Sequence, residues 1–393
     1  MDERVRIPVG CVLQFDDVGW DNGRDLRTIG QASRSGIPRF HAKEDYELLH
    51  EIGKAINSKV LVALCLGDWD RDNILRGVVG ATHDPWNWDR ASEIDIEKFT
   101  GYRDILENSD FVEYTIHGLL HGNYDVHGRL ISESEGFVVK RFSDTHWYKK
   151  LVSDDYFNEH LDLFMKIYNR WGFTQRITTY IAPCGMIGIT EEDVDHITKI
   201  LYDRGIRYWT NTGFPFDAPL KVYNGVACVK QNTDVLVSYH APWEGYDIDP
   251  TTFPQFYQEE KKNNAALLAL HWTNILRFNP KKNFEQVEPW ANYFKEQNEV
   301  FGYMTARDFE ASVNQLFYFW FADLKVENNK CIIDLAPVMH ERLDCHQNFF
   351  YISFKKGTVP ANCSGGNITL HESHRDFDTY KIEHTENRVE INL

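Results

Sequence analysis

The residues whose types and spacing carry the most chemistry are two adjacent carboxylates, Asp16 and Asp17, and two histidines four positions apart, His117 and His121. The carboxylates close a short apolar run, Val12-Leu13-Gln14-Phe15, and Val18-Gly19-Trp20 follows. A strand ending at Asp-Asp sends one carboxylate to each side of its axis, because strand side chains alternate. Two anions so close repel unless a cation or a shared proton offsets them. The competing reading is a turn, since Asp and Gly are common turn residues after a strand. His117-Gly118-Leu119-Leu120-His121 also follows an apolar run, and its histidines meet on one face if the chain turns helical. Two imidazoles and one carboxylate make a three-ligand divalent site with an open position for water. A metal lowers the pKa of such a water from 15.7 to about 7, and the second carboxylate could serve as its base. His271, after Leu268-Ala269-Leu270, could protonate a leaving group. Each piece has a plainer account. Sixteen histidines yield some such spacing by chance, and His271 also reads as a core histidine. Pro183-Cys184-Gly185 reads as a turn, and nothing in the sequence marks Cys184 as an activated nucleophile.

What must position these residues is an alternation of strands and helices. Buried strands are expected at 7–15, 59–66, 111–116, 177–181, 207–211 and 265–270, with apolar residues at helical spacing between them. A hairpin is expected from 226–229 and 235–239, and a short strand at 301–305. The pattern predicts a mostly parallel sheet covered by helices, open or closed into a barrel, over residues 1–315. From 316 to 393 short alternating runs are parted by Asn, Gly, Pro and Asp, which predicts a small antiparallel β-sandwich-like domain. Asp16-Asp17, His117-His121, Pro183-Cys184-Gly185 and His271 each fall at or just past the C-terminal end of an expected strand. That edge is where parallel α/β folds build active sites.

Composition narrows the partners. The chain has 393 residues and a formal net charge of -17, which argues against nucleic acid and anionic membrane surfaces. No apolar leader and no run long enough to span a bilayer is seen, so a cytoplasmic protein is expected. Seven cysteines without a Cys-x-x-Cys pair read as reduced thiols, mostly in the core. Aromatic residues make up 14%, and Trp20, Trp209 and Trp272 stand in loops or at strand ends where they could meet sugar rings, as well as simply pack.

The order of motifs resembles the polysaccharide deacetylase family, with the NodB homology domain of carbohydrate esterase family 4. Phe15-Asp16-Asp17-Val18-Gly19 resembles its first motif, with Val18 inserted. His117-Gly118-Leu119-Leu120-His121 resembles the second, with Gly where Ser or Thr is usual. Tyr180-Ile181-Ala182-Pro183-Cys184-Gly185 is similar to the third, and Leu268-Ala269-Leu270-His271 to the last. The resemblance implies a distorted or incomplete (β/α) barrel. It implies Asp16 as general base, and Asp17, His117 and His121 as ligands of one divalent metal, zinc, with cobalt, nickel or iron(II) as alternatives. It also implies the Cys184 N–H in an oxyanion hole and His271 as acid. His240, in the added Tyr239-His240-Ala241-Pro242-Trp243 stretch, is a rival acid, and His127 a rival ligand. The family Arg that orients the base is missing, with Ile181 in its place and Arg176 or Arg207 as substitutes. The activity implied is hydrolysis of an N-acetyl or O-acetyl group on a sugar or polysaccharide intermediate, with Trp20, Pro183, Trp209, His240 and Trp272 meeting the substrate. A catalytically inactive carbohydrate-binding protein and a metal phosphoesterase are the alternatives.

Overall fold

The computed structural model describes residues 3–19, 39–78, 85–124, 130–133, 138–143, 146–151, 154–183, 185–186, 189–231, 267–302 and 305–393. After the short β1 (Val5–Arg6), the strands β2 (Val12–Val18), β3 (Val60–Leu64) and β4 (Val112–Ile116) supply the middle of the main sheet. Two hairpins follow, β5 (Gly122–Tyr124) with β6 (Leu130–Ser132) and β7 (Val138–Ser143) with β8 (His146–Leu151). The sheet is completed by β9 (Thr179–Ile181), β10 (Tyr208–Asn211), β11 (Leu220–Tyr223), β12 (Val226–Lys230) and β13 (Leu267–His271). Its eight strands run in the order β11-β12-β10-β9-β4-β3-β2-β13. Every pairing is parallel except β11 with β12. The expected α/β architecture is present, with β11 and β13 as free edges among the described residues.

Val-Leu-Val-Ala-Leu of β3 is buried at every position, as a central parallel strand covered on both faces must be. One face meets α1 (Lys43–Ile56), α2 (Ile96–Glu107), α3 (Asp154–Trp171), α4 (Glu191–Asp203) and α5 (Val287–Phe301) through Phe15, Leu64, Ile116, Tyr180, Trp209 and Leu270. In α1 the buried Tyr46, Leu48, Leu49, Ile52 and Ile56 form one stripe, and Asn57 ends the helix with a left-handed φ of 53°. Helix α4 starts at a capping box, in which Thr190 Oγ1 accepts from Asp193 N and Asp193 Oδ2 accepts from Thr190 N.

The other face meets α6 (Phe309–Phe321) and the C-terminal strands, through Val12, Leu61, Ile181, Tyr208 and Leu267 against Phe309, Val313, Leu316 and Phe317. Beyond α6 come β14 (Asp323–Glu327), β15 (Lys330–Asp334), α7 (Ala336–Glu341), β16 (Phe349–Lys355), β17 (Ala361–Ser364), β18 (Gly366–Ser373), β19 (Phe377–His384) and β20 (Arg388–Asn392). They form two four-stranded sheets, β1-β16-β19-β18 and β14-β15-β20-β17, paired antiparallel throughout. The division expected at residue 315 falls inside α6, and the N-terminal β1 pairs with β16.

Three local expectations are corrected. Phe317 to Phe321 is helix, not strand. The whole of α6 is buried almost all round, so its sequence lacks the polar face that reveals a period. The partner of β12 is β11, joined through Asn224-Gly225, both at positive φ, a dipeptide favoured in tight hairpins. Residues 235–239 lie outside the described residues. Of the strand expected at 301–305, Phe301 instead ends α5 and Thr305 forms a parallel bridge with Cys11, while 303–304 lie outside the described residues. Among the described residues no helix is long and apolar enough to cross a membrane.

Candidate metal and active site

Four neighbouring strands bring the site together at their C-terminal ends. Asp16 and Asp17 lie on β2, Cys65 just past β3, His117 just past β4, and His271 ends β13. The register between β2 and β3 is irregular between Phe15 and Val18, and Asp17 sits there with φ 68°. Such a bulge re-aims a side chain, and Asp is among the few residues that enter the left-handed region readily. Asp17 is wholly buried, and neither carboxylate oxygen has a hydrogen-bond partner. Its Oδ1 stands 3.4 Å from His117 Nε2 and 3.3 Å from His121 Nε2, and its Oδ2 4.0 Å from His271 Nε2. These are ion-pair distances, longer than an ordinary hydrogen bond. The two Oδ1–Nε2 distances match the spacing of neighbouring ligand atoms around tetrahedral zinc, about 3.3–3.4 Å for bonds of 2.0–2.1 Å.

A second combination shares two of these residues. Ligand atoms of Asp17, Cys65 and His117, all buried, lie within 4.8 Å of one another and could hold a metal ion. Cys65 Sγ also donates to His117 O at 3.0 Å. Asp17 and His117 belong to both sets, so His121 and Cys65 are the two candidates for a third donor. Cys65 carries no sequence signal, since it sits in an apolar run like any core thiol.

The histidines are held from behind. His117 Nδ1 lies 3.2 Å from Ile181 O, and a carbonyl only accepts, so Nδ1 carries the proton and Nε2 faces Asp17. The segment from Gly118 to His121 is not helical, contrary to the expectation: Gly118 has φ 85° and His121 φ 60°. What brings His121 round is a carboxylate. Glu133 accepts from the backbone N–H of Leu119, Leu120 and His121.

Charge is distributed unevenly. Burial works against the anionic form of Asp17, but the His121, His117 and His271 imidazoles outweigh it and hold this carboxyl well below the usual range. Burial raises Asp16, partly offset by His117 and His271, with Asp17 adding to the rise. Burial lowers His117 too, yet Asp16 and Asp17 outweigh it and bring it up to about 9. In His121 burial wins over Asp17 and brings it down to about 4, so it is neutral at physiological pH and ready as a donor.

Asp16 is placed by a residue that sequence reasoning passed over. Gln14 Nε2 donates to Asp16 Oδ1 at 2.6 Å, and both are buried. Arg176 and Arg207 precede β9 and β10, at the opposite edge of the sheet, and Arg207 donates to Tyr202 O and Ile206 O. Residues i and i+2 share a strand face, which is the signal in the sequence that could have found Gln14.

Of the expected substrate contacts, Pro183 adjoins the histidine turn: a Cβ on Gly118 would come within 2.5 Å of its Cγ. Trp209 and Trp272 lie in the core with no solvent-facing wall. Trp209 packs edge-on against Phe214, and Trp272 stacks on His41 with ring centroids 4.3 Å apart. Trp20, Cys184 and His240, and the rival ligand His127, lie outside the described residues.

Fold and site together define an α/β chain with a mostly parallel sheet and a buried Asp/His/Cys cluster that can hold a metal at its C-terminal edge. Among solved structures it is similar to one described as "putative polysaccharide deacetylase from Mycobacterium smegmatis", at 12% sequence identity and TM-score 0.36, over 71% of this chain and 83% of that one. No protein-family model and no curated protein matches the sequence.

Proposed function

We propose that this chain is a metal-dependent deacetylase that hydrolyses the N-acetyl, or O-acetyl, group of a sugar or polysaccharide intermediate in the cytoplasm. The observation that carries this reading is Asp17, a buried carboxylate with no hydrogen-bond partner whose Oδ1 faces two imidazole nitrogens. Asp17, His117 and His121 are the proposed ligands, with Cys65 as the competing third donor. Imidazole and thiol donors suit zinc, cobalt, nickel or iron(II) better than magnesium, and zinc is the first choice. When bound, the ion would polarise a carbonyl and bring the pKa of a water to about 7.

The chain's own residues supply the proton traffic. Asp16, whose pKa is raised by burial, takes the proton of the attacking water. Gln14 holds the carboxylate that receives it. The Cys184 N–H donates to the oxygen on which charge develops, a contact that can be worth about 2.7–4 kcal/mol. His271, in register with Asp16, gives a proton to the departing amine. The substrate is a carbohydrate with an acetamido group, and Trp20, Pro183 and His240 are the proposed contacts with it.

The test is metal analysis of the purified protein together with acetate release from N-acetylated amino sugars by wild type and Asp16→Asn. A metal-containing wild type that releases acetate, and an Asp16→Asn variant that keeps the metal but not the activity, support the reading. Absence of metal and of acetate release overturns it. Sugar binding without release identifies a binding protein on the same scaffold.

A further inference from the structure

Glu133 is wholly buried and belongs to none of the motifs, yet it has the densest set of polar contacts near the site. Its Oε2 accepts from Leu119 N and Leu120 N at 2.9 Å and from His121 N at 2.6 Å, and its Oε1 accepts from Leu119 N at 2.8 Å. Successive backbone N–H groups turned toward one point form an anion-binding nest, here filled by the chain's own carboxylate. The main chains also pair, with Glu133 N donating to His121 O at 2.9 Å. Behind the carboxylate, His160 Nδ1 lies 2.8 Å from Oε1, and His160 is itself buried on α3 against the Tyr156 ring. Room for this arrangement depends on Gly118, where a Cβ would come within 2.6 Å of Glu133 Oε2. A Ser or Thr at 118, usual in the family this motif resembles, would collide with it.

We propose that Glu133, braced by His160, is the positioning residue that sets the turn from His117 to His121 for metal capture. The proposal rests on the metal-site reading above. Without the carboxylate, three buried N–H donors lose their acceptor, and one of them belongs to His121 in its left-handed conformation. The cluster thus runs from a long helix, through an imidazole and a carboxylate, to the backbone of a candidate ligand. Groups that orient a metal ligand in this way typically change metal affinity by 10–100-fold when lost.

The experiment uses full-length protein, with zinc as the probe and a colorimetric chelator as competitor. In Glu133→Gln one acceptor oxygen becomes an NH2 facing the same N–H donors. Its zinc dissociation constant is expected to rise about 10–100-fold. In the metal-free protein the amides of Leu119, Leu120 and His121 are expected to exchange faster, while those of α1 keep their wild-type rates. His160→Asn retains an N–H donor for Oε1 and should lose only a few-fold in affinity, whereas His160→Phe should approach Glu133→Gln. Wild-type zinc affinity in Glu133→Gln, or wild-type exchange at 119–121, overturns the proposal. A wild type that binds no zinc overturns the metal-site reading, and amide exchange then decides alone whether Glu133 sets the turn. If Glu133→Gln does not fold, the two His160 variants decide by the same readouts.

Discussion

Asp16 and His271 are register partners on adjacent parallel strands, Asp16 near the end of β2 and His271 at the end of β13. Register partners point to the same side of a sheet and are held about 4.8 Å apart by the backbone. The proposed base and acid, fixed in this way, need no loop to bring them together. Asp17, one residue on, would point to the other face of a regular strand; the irregularity at this point and its positive φ turn it toward His117 and His121.

This pairing predicts separable defects. Asp16→Asn should lower the rate of acetate release about 10²–10⁴-fold with metal content unchanged, the usual range for loss of a general acid or base. His271→Gln should match it on an acetamido sugar but fall much less on an activated aryl acetate, whose leaving group needs no proton. Equal losses on both substrates would remove His271 from the acid role. Rates on the two substrates, with metal content from elemental analysis, check both expectations.

Gln14→Leu should lower kcat about ten- to a hundredfold and leave KM and zinc content near wild type, because hydrogen bonds to charged groups are worth about 1.5–3 kcal/mol. The shape of the side chain is nearly kept, so stability should change little. An unchanged kcat would show that Asp16 needs no holder beyond its strand.

The sequence revealed the ends of strands better than the turns between them. Val12 to Phe15 and Leu267 to Leu270 read as strands because every residue is apolar or fits a buried strand, and the polar residue after each run marks the edge where a site forms. His117 was identified by its place after β4. The four-residue spacing by itself brings His117 and His121 to one face only through a helical turn, and the structure uses another route. The chain is instead bent by two left-handed residues around Glu133, twelve positions away. A contact through backbone N–H groups leaves no side-chain pattern, so neither Glu133 nor His160 had a signal. Cys65 was hidden for the opposite reason, since a thiol in an apolar run has the same sequence signature whether it packs or binds. Within α6, Phe317, Tyr318 and Phe319 are buried in succession, so no polar position marks a helical period there.

Asp45 should be among the costliest polar residues to replace. It is fully buried, takes two hydrogen bonds from Arg39 at 2.7 and 2.8 Å, one from Asn283 Nδ2 at 2.7 Å and one from Ala42 N at 2.9 Å, with His41 Nδ1 at 3.2 Å. Burial alone would raise its pKa, but Arg39 and His41 outweigh it and hold the carboxyl well below the usual range. A depressed carboxyl contributes stability above its unfolded pKa, about 3.9, and loses it as pH falls further toward the folded value. Asp45→Ala is therefore expected to cost about 3–5 kcal/mol at neutral pH, the usual range for breaking a buried pair, and less at pH 3. Urea denaturation of both proteins at pH 7 and pH 3 measures the difference, and an equal cost at both would contradict the ionic origin.

Glu113 predicts a pH dependence of the opposite sign. It lies partly buried on β4, its Oε1 accepts from Phe309 N at 2.7 Å, and the N-cap of α6, Asp308, stands close by. Burial and the Asp308 charge bring its pKa up to about 8, against the pull of the Phe309 N–H and Lys59. The folded protein therefore keeps a proton that the unfolded chain releases near pH 4.3. The stability linked to that proton is complete below pH 4.3 and is lost progressively as pH rises through about 8. Glu113→Gln keeps an oxygen for Phe309 N and cannot ionise, so it should match wild type near pH 4 and exceed it at pH 8.5. A full conversion at 1.36 kcal/mol per pKa unit is too large for a group that retains some solvent contact, and a gain of about 1–2 kcal/mol at pH 8.5 is expected. Denaturant midpoints of the two proteins across pH 4–9 give the answer. Parallel curves would mean that Glu113 is ionised in the folded protein at neutral pH, and that the start of α6 tolerates two neighbouring carboxylates without penalty.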